Sequence, residues 1–170
     1  MHNKKIRKLT LTSVLAALTC VATMLIRVPT PTKGYVNLGD CMVNISAWLL
    51  GPVCGGAAAG FGSAAADILS GYVIYSPATL IIKALMAVFS FMIFNLAVKK
   101  LHSGAARVIA ACAAEIIMIL GYFAFETIIY GSAVTASAGI VGNIFQGIMG
   151  TASSVILYEA VIRRIPAKNI

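Results

Sequence analysis

Six apolar runs, separated by short polar or Gly/Pro-containing breaks, fill this chain. The first covers residues 9–28 and stops at Pro29-Thr30-Pro31-Thr32-Lys33-Gly34, a stretch that cannot continue a helix. A polar, glycine-containing loop follows and leads to Asp40, which is placed to cap the next helix by accepting hydrogen bonds from its free N–H groups. The second run, residues 41–50, is short and ends at Gly51-Pro52; the third, 53–70, is built largely of Gly and Ala. After Gly71-Tyr72 and Ser76-Pro77 come runs at 78–98 and 105–130, parted by a basic segment from Lys99 to Gly104. A small-residue loop at 131–138 precedes the last run, 139–162, and a basic tail. A helix needs roughly 20 apolar residues to cross ~30 Å of hydrocarbon, which five of the runs satisfy or approach. The second, at ~15 Å of rise, must tilt, extend into the loop or stop short. The pattern predicts an all-α membrane protein: a six-transmembrane-helix bundle forming a single integral membrane domain over residues 1–170.

Composition supports that reading. Of 170 residues, 60 % are hydrophobic and only 11 % charged, too few charges to cover a water-facing surface. The apolar content equally excludes disorder, and the spans leave no room for a soluble catalytic domain. The net charge of +8 would suggest nucleic acid in a soluble protein; here it sorts by topology. With both termini inside, Lys4, Lys5, Arg7, Lys8, Lys99, Lys100, Arg107, Arg163, Arg164 and Lys168 fall on the cytoplasmic side, Arg27 and Lys33 outside, and Lys83 within a span. The long N-terminal run without a clean cleavage site reads as the first span and not as a signal peptide.

Ionisable and amide side chains inside a bilayer are expensive and are functional candidates by default. In the six-span arrangement Asp40, Asp67, Lys83, Glu126, Asn143 and Gln146 all fall in the outer half, with Glu115 and Asn95 deeper. The arrangement predicts a pocket open to the outside. Asn143, Gln146, Gly147, Gly150 and Ser154 share one helical face; the two amides either hold a heteroatom-rich ligand or bond neighbouring helices. Lys83 either neutralises Asp67 or touches the ligand, and Glu126 is either solvated or part of the pocket. Trp48, Tyr35, Tyr72, Tyr75 and Tyr130 form an interfacial belt, or one or two of them stack on a flat ring. The candidate substrate-binding residues are therefore Tyr35, Asn37, Asp40, Trp48, Lys83, Glu126, Asn143 and Gln146. In the third run Gly60 and Ala64 have the small-xxx-small spacing of close helix packing. Thr12, Ser13, Ala16, Ala17 and Cys20 make a smooth stripe on the first helix, suited to docking another membrane protein.

No phosphate loop, H-E-x-x-H or G-x-S-x-G motif is present. His2 and His102 lie in basic segments, and Cys20, Cys41, Cys54 and Cys112 are scattered as small apolar residues. No enzyme activity, metal, cofactor or nucleic-acid partner is expected.

The stretch Tyr35-Val-Asn-Leu-Gly-Asp40, then Gly51-Pro52, Asp67, Gly71-Tyr72, Ser76-Pro-Ala-Thr79, Lys83, Asn143 and Gln146-Gly147, resembles the riboflavin-transporter-like S components of energy-coupling factor (ECF) importers, over about residues 10–165. The resemblance implies a multi-pass protein of the bacterial plasma membrane that captures a vitamin or precursor on its outer side, under a first extracellular loop. It implies as partners a T subunit, docked on small residues of the first helix, and two cytoplasmic ATPases that drive inward release by toppling the S component. Here Thr12 and Cys20 flank Ala16 where the family's stripe is alanine. Such proteins carry riboflavin, pyridoxine-like compounds, hydroxymethylpyrimidine or pantothenate; the polar groups above favour a small hydroxylated heteroaromatic ring, pyridoxine or hydroxymethylpyrimidine. The alternative is a stand-alone secondary transporter or channel for a small polar metabolite, whose mark would be an inverted repeat.

Overall fold

The computed structural model describes residues 2–30 and 32–164; Pro31 in the first break and Lys168 in the basic tail lie outside the described residues. Helix α1 (His2–Leu25) is followed by a β-hairpin, β1 (Arg27–Pro29) and β2 (Tyr35–Asn37), then by α2 (Gly39–Leu69), α3 (Ser76–Ala97), α4 (Ser103–Tyr130) and α5 (Ala133–Ala160), with a short 3-10 turn at Ile162–Arg164. Five helices, α1 to α5, are long and apolar enough to cross a membrane. The sequence reading expects six spans; those at 41–50 and 53–70 are two arms of α2.

The arms meet at Gly51, whose φ of 81° and ψ of −177° break the helix. That conformation is open essentially to glycine alone, and Pro52 follows as the first residue of the new arm, where its missing N–H costs nothing. A straight helix would hold Asp40 and Asp67 about 40 Å apart at 1.5 Å per residue. Both instead border Lys83: Asp40 pairs with it, and Asp67 lines the same cavity. The second arm therefore doubles back beside the first. A Cβ at Gly55 would sit 2.6 Å from the Ser46 carbonyl oxygen and 2.8 Å from the Ala47 Cα, so only hydrogen fits where the arms touch. The Gly/Ala-rich run of the second arm packs on three sides, against the first arm at Gly55, α3 at Gly60 and α1 at Gly62.

Three boundaries differ from the sequence reading. The first span was expected to reach Val28, but a residue before proline is pushed out of the helical region, and Val28-Pro29 pair with Tyr35-Val36 instead. The expected loop at 131–138 is mostly helix: Gly131, at φ 60°, ends α4, and the Ser132 hydroxyl caps α5 by accepting from the Thr135 N–H. Asp40 does not cap α2; it is the second helical residue, and Asn37 Oδ1 accepts from the Gly39 N–H at 2.8 Å instead.

Val43, Ala47, Met86, Ala111, Ala114 and Met118 form the main core between α2, α3 and α4. α1 runs parallel to the second arm, Leu15 beside Ala58 and Ala16 against Gly62, and antiparallel to the first, whose Gly39 meets Thr23. Both described ends of the chain thus lie at the end of the bundle opposite the hairpin, together with the basic segment between α3 and α4.

Candidate functional site

Beneath the hairpin, the helices converge on a small polar cavity lined by Thr23, Thr30, Gly34, Tyr35, Asn37, Ser63, Asp67, Tyr75, Thr79, Lys83, Tyr122, Glu126 and Asn143. Three pairs in that lining are spaced i, i+4 and so share a helical face: Ser63 with Asp67, Thr79 with Lys83, and Tyr122 with Glu126. Of the expected substrate-binding residues, Tyr35, Asn37, Lys83, Glu126 and Asn143 line the cavity. Asp40 and Gln146 lie directly behind it. Trp48, two turns further along the first arm, is elsewhere: its ring packs on Phe94 and Tyr158 under the Arg107 guanidinium. Apolar packing on α3 and α5 claims it, and the ring never turns toward the hairpin.

Lys83 is 2 % exposed and forms its ion pair with Asp40, not with Asp67. The other Asp40 oxygen accepts from Gln146 Nε2 at 2.5 Å, and Gln146 Oε1 accepts from the Asn37 backbone N–H at 2.8 Å. A continuous chain of polar contacts thus runs from the hairpin through α5 and α2 to α3. Asn44 extends it inward, donating to Glu115 at 3.4 Å and accepting from Ser90 at 2.8 Å. Asn95, by contrast, is exposed. The predicted face of α5 is buried as a unit, Asn143, Gln146, Gly147, Gly150 and Ser154 together; the two glycines admit the Glu115 side chain.

Four tyrosines gather around the hairpin. Tyr35 donates to Asp67 Oδ1 at 2.6 Å and lies 4.6 Å, centroid to centroid, from Tyr72. Tyr75 and Tyr130 both donate to the Thr32 carbonyl, at 2.6 and 2.5 Å. Burial, reinforced by the Asp67 carboxylate, pushes the Tyr35 phenol well above its ordinary pKa; burial and the Tyr130 contact do the same for Tyr75. Both keep their protons and serve as donors that hold the hairpin down.

Not every polar atom of the lining is used. Among the described residues, Ser63 Oγ, Asp67 Oδ2 and Glu126 Oε2 are buried without a hydrogen-bond partner. Burying such groups unpaired costs ~1–3 kcal/mol each; all three belong to lining residues, and the Glu126 oxygen packs against Gly139 of α5. Its volume is about 30 Å³, room for a few waters at most. Sequence reasoning missed Thr23, Thr30, Gly34, Ser63, Thr79 and Tyr122 as lining residues, and took Tyr75 for the belt. Stepping four residues back from Asp67, Lys83 and Glu126 finds three of them.

The stripe on α1 divides. Ser13 and Ala17 are exposed, Thr12 and Cys20 half-buried, and Ala16 faces Gly62.

Comparison with known proteins agrees with this architecture. A protein of Pyrococcus woesei, described as an uncharacterized protein in the gap 3′ region, is 34 % identical over 138 residues, 81 % of this chain and 86 % of that one. A solved structure, described as that of the S component of a bacterial ECF transporter, shares the fold with a TM-score of 0.72, covering 94 % of this chain and 97 % of that one at 20 % identity. The family model of the ECF-type riboflavin transporter S component matches residues 3–163, and the chain belongs to that family.

Proposed function

We propose that this chain is the membrane-embedded substrate-capture subunit of an ATP-driven ECF importer in the cell membrane, taking up a small hydroxylated heteroaromatic vitamin or precursor. The observation that carries the reading is the set of unpartnered oxygens on Ser63, Asp67 and Glu126, ringed by Tyr35, Tyr75 and Tyr122 beneath a hairpin. Aromatic faces suit a flat ring; the oxygens suit its hydroxyl and N–H groups. Lys83, Asn37 and Asn143 complete the polar lining. Riboflavin, in the family's description, heads the candidates, with pyridoxine and hydroxymethylpyrimidine beside it; pantothenate, which has no ring, is the non-aromatic contrast. A cavity of about 30 Å³ is far smaller than the ~300–1,000 Å³ of a small-molecule site, so in this reading the hairpin lifts to let the ligand in and closes over it.

The two arms of α2 count as separate crossings in this proposal, which gives six helical segments and places the basic end, with both termini, in the cytoplasm. The exposed Ser13–Ala17 side of α1 is the docking face for a T subunit, which two cytoplasmic ATPases drive. Calorimetry of the purified chain with the four vitamins tests the capture role; one of them binds without nucleotide. Uptake into liposomes then requires T and ATPase subunits with ATP. Uphill uptake by the chain alone would instead make it a secondary transporter. Ala17→Trp lowers uptake and spares affinity; equal loss of both would remove the docking face.

A further inference from the structure

The outer surfaces of α4 and α5 enclose a groove of about 560 Å³ on the lipid-facing side of the bundle. Val108, Cys112 and Ile116 form one wall, Ile148, Ala152 and Ile156 the other. Glu115 reaches its floor but turns its carboxylate inward toward Asn44. Along α4 the groove runs over residues 108–119 and along α5 over 144–156, ~17–18 Å at 1.5 Å per residue. That is about half of the ~30 Å hydrocarbon core. It begins at the basic end and stops well short of the hairpin end.

The basic end supplies the second observation. Ala152 and Glu159 share one side of α5 at a spacing of seven, and Arg163, in the 3-10 turn beyond α5, reaches back to Glu159. Glu159 is held by Arg107 at 2.6 Å and by Arg163 at 2.9 Å. One carboxylate between two guanidinium groups leaves positive charge in excess; the Arg163 side chain is 58 % exposed, and Arg164 is exposed beside it. An apolar trough one leaflet deep, with exposed arginines further along the chain at its basic end, matches one molecule in both length and charge.

We propose that the α4/α5 groove is a binding site for an anionic glycerophospholipid of the leaflet at the basic end, one acyl chain lying in the groove and the phosphate against Arg163 and Arg164. A helix of a partner protein fits less well, since a crossing helix needs a seam through the whole core and the groove covers half. This site is separate from the cavity under the hairpin and does not depend on which vitamin, if any, that cavity holds.

The probes are phosphatidylglycerol and phosphatidylcholine of identical acyl chains, added to the purified full chain in detergent. Native mass spectrometry counts retained lipid, and thermal melts report its effect. Phosphatidylglycerol is retained and raises Tm more than phosphatidylcholine. Replacing Arg163 and Arg164 together by Gln weakens phosphatidylglycerol retention roughly thirty-fold, as expected for two arginines near an anionic headgroup, and brings the two lipids level. Ala152→Phe, which fills the groove, removes retention of both lipids while the arginines remain. Should that variant fold poorly, the surface arginine pair still decides the matter, as does protection of Cys112 from maleimide by phosphatidylglycerol. Equal retention of the two lipids by the wild type, or unchanged retention in the arginine pair, overturns the proposal.

Discussion

Lys83 makes the largest single electrostatic commitment inside the bundle. With its ammonium removed, Asp40 keeps a buried carboxylate whose remaining support is Gln146. Breaking a buried pair from one side costs about 3–5 kcal/mol, so Lys83→Ala should melt far below the wild type. Lys83→Met combined with Asp40→Asn removes both charges and should recover much of that loss; thermal melts of the single and double variants measure the coupling. If the double variant stayed as unstable as Lys83→Ala, the pair would not be the reason for the loss. The two amides of α5 separate along the same logic. Asn143 lines the cavity and Gln146 does not, so Asn143→Ala should weaken ligand binding by about 1–3 kcal/mol, roughly five- to 150-fold, with little change in Tm. Gln146→Ala unties Asn37 and Asp40 together and should lower both. The sequence made these residues visible because a charge or amide within an apolar run stands out. It could not show which partner each chooses. Asp40, Asp67 and Lys83 all fall at similar depth in the six-span reading, and depth alone does not choose between two carboxylates.

At the scale of elements, the hairpin and α2 decide what the site can do. Val36 packs on α5 where a Cβ at Gly142 would lie 3.2 Å from Val36 Cγ2, near enough for a cross-link between the two backbones. In a chain without its native cysteines, Val36→Cys with Gly142→Cys should form a disulfide that locks the hairpin over the cavity. Oxidised, that protein should bind no vitamin; reduced, it should bind as the cysteine-free parent does. Undiminished binding by the oxidised form, checked with a thiol count, would mean that the ligand enters by another route. Long apolar runs and Gly-Pro breaks revealed α3, α4 and the division at Gly51 in advance. The strands were not legible, because three residues a side carry too little alternation, and their pairing depends on Pro29 and on tyrosines brought from α3 and α4. The start of α5 was missed for another reason: Ala, Ser and Thr read as loop by their smallness, although alanine is the best helix former and Ser132 a strong cap.

For the whole molecule, the decisive geometry is that α2 leaves and returns to the same end. Counted as five helices, the chain would put its two described ends on opposite sides of a membrane. With α2 doubled back, both lie at the end that carries Lys99, Lys100, Arg163 and Arg164, all exposed, while the hairpin and the α4/α5 turn occupy the other. Cytoplasmic loops collect Lys and Arg, and on that ground the proposed orientation takes the basic end as the inner one, with the cavity facing outward. Single cysteines placed at Lys33, Gly131 and His102, each exposed, test this in a cysteine-free chain. An impermeant maleimide added to intact cells should modify positions 33 and 131 and spare 102; after permeabilisation all three should react. Labelling of 102 from outside with 33 protected would invert the molecule and set the cavity to face the cytoplasm. Labelling of 102 and 33 together from outside would show that α2 crosses once, and the folded-back arms would then have to open within the membrane. Gly51 distinguishes that last case from a simple error of orientation. If the fold-back is intrinsic, Gly51→Ala, forced to keep φ at 81°, should cost about 1–3 kcal/mol of stability without changing which positions label.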